Sequence, residues 1–297
     1  MNKHKVYLAV FILLITFSCE SETEELIIVD ETIISSDDSE TRSPENIIVY
    51  SIPSPHEQID ILHLLNDKAN LDLINPLTNV SKYSTLDKKA MNLGAYLADI
   101  AYLTRYDLER KMLSDYSSVL DSMCETIGLR EDCLSYLKED LKSENEDSDN
   151  LVSLFDISSQ NFISIQNELK DKNKNAILAM FLSGAWVETM HILFTQAQNF
   201  GDNFEIQANI VDQRFVLENL MMLLNNNKEN DKIGSINEYF EKISEVFIKL
   251  DCENSNLQIE NKEGIIILNG GSTCTFHSNS FEEMKSLIRE LRTSIIS

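Results

Sequence analysis

The sequence is poor in glycine and proline, with 8 and 4 residues respectively, and it contains a single tryptophan. These counts exclude a collagen-like chain and argue against a β-rich fold, which would need many turn residues. Basic residues are also scarce, because 25 lysines and arginines stand against 49 acidic residues and leave a formal charge of -24. An acidic surface repels phosphate, and we find no compensating basic patch, so we expect no nucleic-acid binding.

Several catalytic signatures are missing from the sequence. It has no His-Glu-x-x-His motif, no Gly-x-Ser-x-Gly elbow and no Walker-type phosphate loop. The run Gly270-Gly271-Ser272-Thr273 is only superficially like a glycine-rich loop, because it lacks the lysine that contacts phosphate. We therefore predict no cofactor, and no motif names a reaction.

The N-terminus has the pattern of a secretory signal. A basic head, Lys3 to Lys5, precedes an apolar stretch from Val6 to Phe17. This stretch is shorter than the roughly 20 residues that a membrane-spanning helix needs, so we expect it to be removed. Residues 1–18 are therefore predicted to be a signal peptide.

Cys19, which directly follows the small Ser18, resembles the relaxed lipobox of Bacteroidetes-type lipoproteins. The resemblance implies that Cys19 is acylated, becomes the first mature residue and holds the chain on a membrane. The acidic run after it, Glu20 to Glu25, is similar to the signal that sends such lipoproteins to the outer face of the outer membrane. An ordinary cleaved signal and an uncleaved anchor are the alternatives; we favour lipidation and a surface-exposed location in the cell envelope.

Residues 19–53 have the composition of a flexible tether. From Glu20 to Pro53 there are ten acidic residues and one basic residue, Arg42, which gives a net charge of -9 (1 minus 10). A charge run of this kind is usually solvated chain.

Hydrophobic residues make up 43% of the sequence, which suffices for a packed core. Residues 54–297 show mostly helical periodicity, and we predict one all-α domain, an irregular bundle of about seven to nine helices. A change of period around Glu263-Gly264 predicts one short β-hairpin near the C-terminus, at about residues 257–268. The capping pair Ser235 and Glu238 predicts the start of a helix. The longer predicted helices cover Asp87–Tyr106, Leu108–Leu129, Leu151–Leu169, Asn175–Asn199, Glu205–Leu224, Ser235–Leu250 and Phe281–Ile296.

Three segments of this domain, Lys89–Asp99, Ala179–Glu188 and Leu287–Ile296, resemble uncharacterised helical lipoproteins of the Bacteroidetes type. The resemblance extends over roughly residues 55 to 297. It implies a helical fold and an envelope location, and it implies no reaction.

Two of the predicted helices carry the candidate site. On Asp87–Tyr106, small residues including Gly94 form one stripe, which predicts the close approach of a neighbouring helix. Asn92, Tyr96 and Asp99 form a polar stripe that either lines a cleft or joins helices in a structural network, and we favour the network. The candidate ligand groove consists of these three residues together with Trp186, Glu188 and His191.

The spacing Glu188-x-x-His191 is half of a carboxylate-bridged di-iron motif. Such a site needs a second Glu-x-x-His, and none of the other histidines has a glutamate three positions earlier. We therefore predict no metal site and interpret His191 as a core or groove histidine.

Four cysteines besides Cys19 suggest disulfides in an exported chain. A Cys252–Cys274 bond would staple the predicted hairpin, and a Cys124–Cys133 bond would close the turn around Gly128. Reduced, buried cysteines are the alternative.

Three functions fit these patterns. The first is a membrane-anchored binding or scaffold protein for an unknown ligand or envelope protein partner. The second is a metal-assisted or hydrolytic enzyme with its site around Asp99, Glu188 and His191. The third is a helical spacer without a pocket. We favour binding or structural roles over catalysis.

Overall fold

The computed structural model describes residues 52–65, 69–106, 110–130, 133–142, 153–227, 231–262 and 265–297, which belong to one compact unit. Within these ranges the chain forms nine α-helices, three short 3-10 helices and one antiparallel hairpin, so the predicted all-α class with a single small hairpin is confirmed. The predicted signal peptide, Cys19 and nearly all of the predicted tether lie outside the described residues.

The short 3-10 helices come early in the domain, and the hairpin comes late. The 3-10 helices are Asp60–Leu64, Leu71–Leu73 and Leu77–Lys82, and β1 (Asp251–Lys262) pairs with β2 (Ile265–Thr275) between the last two α-helices. The α-helices are α1 (Pro55–Ile59), α2 (Leu86–Arg105), α3 (Arg110–Thr126), α4 (Ser135–Lys142), α5 (Leu154–Asp171), α6 (Asn175–Gln196), α7 (Phe204–Asn225), α8 (Asp231–Ile248) and α9 (Ser278–Ile296).

The first described residues already belong to the helical domain. Ser54 caps α1, with its hydroxyl accepting from the Glu57 backbone while the Glu57 carboxylate accepts from the Ser54 backbone. Pro55 suits the first helical position because its missing N–H has no partner to lose there. Ile52 is buried at 4% exposure, so the domain begins before the predicted boundary at residue 54.

The crossing of α2 and α6 organises the core, and glycine makes it possible. A Cβ on Gly94 of α2 would overlap the backbone of Phe181, and a Cβ on Gly184 of α6 would overlap the backbone of Met91. The two helices therefore touch backbone to backbone, which offsets the cost of about 0.5–1 kcal/mol for each helical glycine relative to alanine. This confirms that the small-residue stripe around Gly94 serves a close helix contact.

Helix α6 is the central helix of the domain. It is long and apolar enough to cross a membrane, yet 89% of its most apolar window is buried inside the protein. Burial on all sides explains why its apolar residues do not gather on one face, in contrast to the amphipathic helices around it.

Both predicted disulfides are formed, Cys124 with Cys133 after α3 and Cys252 with Cys274 at the base of the hairpin. The hairpin is longer than predicted, because pairing runs from Asp251 opposite Thr275 to Lys262 opposite Ile265. Polar residues at both outer ends hid this extension from the hydrophobic pattern. The predicted helix start at Ser235 is wrong, since α8 begins at Asp231 and Ser235 lies inside it.

Candidate functional site

The two acidic residues singled out from the sequence meet in the interior, where they share one arginine. The Arg292 guanidinium from α9 donates to both Glu188 oxygens, from Nε at 2.9 and 2.8 Å and from Nη2 at 2.7 Å to Oε1. Its Nη2 also donates to the Leu73 carbonyl at 2.8 Å. A bidentate pair of this kind is the strong form of a carboxylate–arginine contact.

Asp99 is the second carboxyl group of this cluster and is completely buried. Its Oδ2 accepts from the Asn75 backbone N–H at 3.0 Å. Its Oδ1 has no partner at hydrogen-bond distance among the described residues, and the charged groups it faces are the Glu188 carboxylate and the Arg292 guanidinium. We call Asp99, Glu188 and Arg292 the acid cluster.

The acid cluster holds two carboxyl groups and one cation, and this imbalance determines its protonation. Burial raises the pKa of Asp99 well above its usual range, and the nearby Glu188 charge raises it further. Burial also raises the pKa of Glu188, but the contact with Arg292 opposes that rise. Of the two carboxyl groups, Asp99 is therefore the one that holds a proton more readily, and a proton there brings the cluster close to neutral overall.

A ring of buried amides and tyrosines surrounds the acid cluster and ties the segment before α2 to the helices. The Asn75 amide donates to the Tyr83 hydroxyl at 3.0 Å and to Asn92 Oδ1 at 3.3 Å. The Asn92 amide donates to the Ile295 carbonyl in α9, and the Tyr96 hydroxyl donates to the Pro76 carbonyl at 3.0 Å. The polar stripe on α2 is thus a network that joins helices, as favoured from the sequence.

His191 lies one turn after Glu188, at the edge of the acid cluster, and is partly buried. Burial lowers its pKa to about 3, and the adjacent Arg292 charge acts in the same direction. The Leu73 carbonyl favours the charged ring, but its effect is smaller. His191 is therefore neutral at pH 7 and contributes no positive charge to the cluster.

The predicted ligand groove is not formed by its six candidate residues. Asn92, Tyr96, Asp99 and Glu188 are interior at 0–1% exposure, and only His191 reaches the surface in part. Trp186 packs away from the acid cluster, where its indole N–H donates to Gln213 and its ring meets Phe240 edge to face. The α2–α6 crossing leaves no room between these side chains for a ligand.

Chemically, the acid cluster can hold a proton and fix helices, but its carboxyl groups cannot reach a substrate. Among the described residues, no group of three or more histidines, cysteines, aspartates or glutamates is arranged to hold a metal ion. The enzyme hypothesis needed Asp99, Glu188 and His191 in one open pocket. The structure brings them together but encloses the two acids.

Two residues that complete the cluster, Arg292 and Asn75, were not among the candidates predicted from the sequence. Arg292 has a detectable signal, because it lies four residues after buried Ile288 and three before buried Ile295 on α9. An arginine on an apolar stripe needs a buried counter-charge. Asn75 lies between short 3-10 helices in a segment with no periodicity, so its role was not visible.

A separate opening lies between the start of α7 and the base of the hairpin. This apolar pocket has a volume of about 310 Å³, and Phe200, Phe204, Val211, Cys274 and Phe276 form most of its wall. No signal in the sequence joined these residues, because the loop before α7 and the strand β2 come together only in the fold.

No family model, curated protein or solved structure matches this chain.

Proposed function

We propose that this chain is a lipid-anchored protein of the bacterial envelope whose helical domain binds or scaffolds another molecule. The signal-like segment 1–18, Cys19 after Ser18 and the acidic stretch that follows support the anchor. The Cys124–Cys133 and Cys252–Cys274 disulfides support export, because such bonds persist in oxidising compartments.

One observation favours binding over catalysis: the two acids that meet in the predicted site are buried. Asp99 and Glu188 are 0% and 1% exposed, and Glu188 is fully engaged by Arg292. A general acid or base must come within hydrogen-bond reach of its substrate, and these groups are closed to it. The apolar pocket, in contrast, opens to solvent and has the character of a binding surface.

The anchor is tested by mass spectrometry of the mature N-terminus and by membrane fractionation. We expect an acylated Cys19 at the mature N-terminus and loss of membrane association in Cys19→Ala. Ser21→Ala is the matched control, because it changes a neighbouring small residue and keeps the thiol. A mature N-terminus at any other residue, or membrane association that persists in Cys19→Ala, would overturn the anchor.

The choice against catalysis is tested with Asp99→Asn, which keeps the shape of the side chain and removes its acid function. The test needs an activity to follow, so purified protein is first assayed for bound metal and for hydrolysis of generic ester and glycoside substrates. We expect no metal in stoichiometric amount and no turnover. Hydrolysis that Asp99→Asn abolishes without unfolding the protein would favour the enzyme alternative.

A further inference from the structure

The apolar pocket is the open end of an aromatic cluster that begins in the core. Phe194 packs against Phe281 with ring centroids 5.1 Å apart, and Phe281 in turn packs against Phe276 at 5.9 Å and Phe200 at 6.0 Å. Phe276 and Phe281 are buried, whereas Phe200 is 40% exposed. The floor of the pocket is therefore fixed by the core, and its aromatic surface continues outward to solvent.

At the mouth of the pocket, Phe204 is 61% exposed although it is the first residue of α7. A second exposed aromatic on the same helix, Phe215 at 53%, lies outside the pocket and is covered by the Arg214 guanidinium at 4.1 Å. Phe204 has no such cation above it among the described residues. A volume of about 310 Å³ is at the small end of ligand pockets and accommodates one or two large side chains.

The rim of the pocket is acidic. Asp202 and Glu205 are exposed beside Phe204. On the hairpin, Asp251 and Glu253 are exposed and lie directly opposite Thr275 and Thr273, which line the pocket. Opposite residues in an antiparallel pair share one face of the ribbon, so both carboxylates lie on the exposed face that carries these threonines, and Cys274 lies on the other face.

The rim carboxylates are not neutralised by any residue that the structure describes. None of the four forms an ion pair with another described residue, and the nearby cations are engaged elsewhere. Lys249 pairs with Glu283, and Lys285 donates to the Gln198 carbonyl at 2.5 Å. An apolar cavity with an unpaired negative rim is complementary to an apolar group carried between positive charges.

From this geometry we infer that the pocket binds a peptide segment of a partner protein in which an aromatic or large aliphatic side chain is flanked by lysine or arginine. The inference rests on the proposed binding function and specifies its partner. The apolar side chain enters between Phe200, Phe204 and Phe276, while the flanking cations meet Glu205 on one side and Glu253 on the other. The Cys252–Cys274 bond joins β1 to β2 at the part of β2 that lines the pocket.

The test begins with selection of random short peptides on the mature protein held in phosphatidylcholine vesicles, with empty vesicles as background. We expect the selected sequences to share an apolar residue between basic residues. The affinity of a synthesised consensus peptide is then measured by fluorescence anisotropy. Phe204→Ser should weaken it about tenfold or more, as expected for a central aromatic contact. Phe215→Ser, the matched control, should leave it unchanged.

The rim is tested by charge reversal. Glu253→Lys should weaken binding of the lysine-flanked peptide and strengthen binding of the same peptide flanked by glutamates. Higher salt should weaken the wild-type interaction, because exposed charges are screened.

Phe204 and Phe215 are both exposed, so the thermal unfolding of Phe204→Ser and Phe215→Ser should match that of the wild type.

Four results would overturn the inference. Selected peptides without basic residues would show that charge plays no part in binding. A peptide affinity that is unchanged in Glu253→Lys would show the same. Equal effects of Phe204→Ser and Phe215→Ser would place the binding site elsewhere. Self-association of the chain that Phe204→Ser abolishes would make a second copy the occupant. If Cys19 is not acylated, the chain stays in solution and the same peptide measurement is made there, so a failed anchor is distinguishable from a failed pocket.

Discussion

The acid cluster and the apolar pocket place side chains contrary to the usual rule of apolar inside and charged outside. The acid cluster buries Asp99, Glu188 and Arg292 where α2, α6 and α9 meet. The pocket exposes Phe200 and Phe204 beyond the C-terminal end of α6, beside the hairpin. Buried charges need partners, which Glu188 and Arg292 supply to each other, whereas the exposed aromatic side chains of the pocket are left open to another molecule.

This difference separates what holds the fold from what is free to function. The charged groups of the acid cluster contact other groups of the same chain. One of these hydrogen bonds joins Arg292 to the carbonyl of Leu73, far away in the sequence. The rim acids of the pocket, such as Glu205 and Glu253, form no ion pair with another described residue. Substitutions in the first region should therefore change stability, and substitutions in the second should change binding alone.

The largest effect should come from Arg292→Met, which removes the cation of the acid cluster. Glu188 would then be buried without a counter-charge, and we expect a loss of about 3–5 kcal/mol in the free energy of unfolding. Urea unfolding followed by circular dichroism measures it. Lys249→Met is the control, because its pair with Glu283 is about half exposed on both sides and should be worth only about 0–1 kcal/mol. Equal losses in the free energy of unfolding for Arg292→Met and Lys249→Met would contradict the burial of Glu188.

The next effect tests the α2–α6 crossing that encloses the cluster. Gly184→Ala places a methyl group against the Met91 backbone, which cannot move aside as a flexible side chain can. We expect a loss of about 2–3 kcal/mol, as for an overpacked core. Gly94→Ala should cost a similar amount, and the double variant should cost less than the sum, because both relieve their clash by the same separation of helices.

Gly234→Ala is the matched control for this crossing. Gly234 also lies inside a helix, but no atom comes within 4 Å of a Cβ placed there. Alanine should therefore stabilise the protein by about 0.5–1 kcal/mol through its better helix propensity. A destabilising Gly234→Ala would show that the helix context, and not the close contact, determines the cost at Gly184.

The α2–α6 crossing also shows how far the sequence alone leads. Periodicity and the stripe around Gly94 predict both helices and their close approach, because these depend on local patterns. The pairing of Asp99 with Glu188 follows only once the crossing fixes their registers. Arg292 is 104 residues from Glu188 in sequence, and no local rule selects it as the partner.

The apolar pocket lay beyond sequence reasoning for a different reason. Phe200 and Phe204 belong to a turn and a helix start, and Phe276 follows β2, so they share no period. Their meeting depends on how the hairpin packs on α7. The prediction placed the groove at Trp186 and His191 because an apolar helix with polar residues looks the same whether they face a cleft or another helix.

A third prediction concerns acid stability and compares a buried histidine with an exposed one. His56 is buried, with its Nε2 2.6 Å from Ser158 Oγ, and burial lowers its pKa to about 3. The nearby Asp156 raises the pKa of His56, but this effect is smaller than that of burial. In the unfolded chain this histidine is protonated near pH 6.5, whereas in the folded state it stays neutral down to about pH 3. The free energy of unfolding therefore decreases as the pH falls from 6.5 towards 3.

We expect this loss to be at most about 1.4 kcal/mol per pH unit for His56. Urea midpoints of the wild type and His56→Gln at about pH 7, 6 and 5 isolate it, because the variant lacks this titration and should fall less steeply. His63→Gln changes an exposed histidine and should follow the wild-type slope. Parallel slopes for His56→Gln and the wild type would mean that His56 is protonated in the folded state.

The smallest effect distinguishes the two acids of the cluster. An amide in place of protonated Asp99 adds no charge, and in Asp99→Asn the side-chain oxygen still accepts from the Asn75 backbone N–H. At about pH 4, where Asp99 is still partly protonated in the unfolded chain, we expect a change of about 1 kcal/mol or less. Glu188→Gln, the matched amide variant, instead leaves Arg292 without a counter-ion and should approach the cost of Arg292→Met.

The pH dependence gives the sign of this effect. The pKa of Asp99 is raised in the folded state, so the folded protein holds a proton that the unfolded chain releases above about pH 4, and stability falls as the pH rises towards the folded pKa. Asp99→Asn lacks this loss, so its advantage over the wild type should grow by up to about 1.4 kcal/mol per pH unit between about pH 4 and pH 6. Urea unfolding at both values measures the difference. An Asp99→Asn variant that is as destabilised as Glu188→Gln, at either pH, would show that Asp99 is ionised and that the proton lies on Glu188.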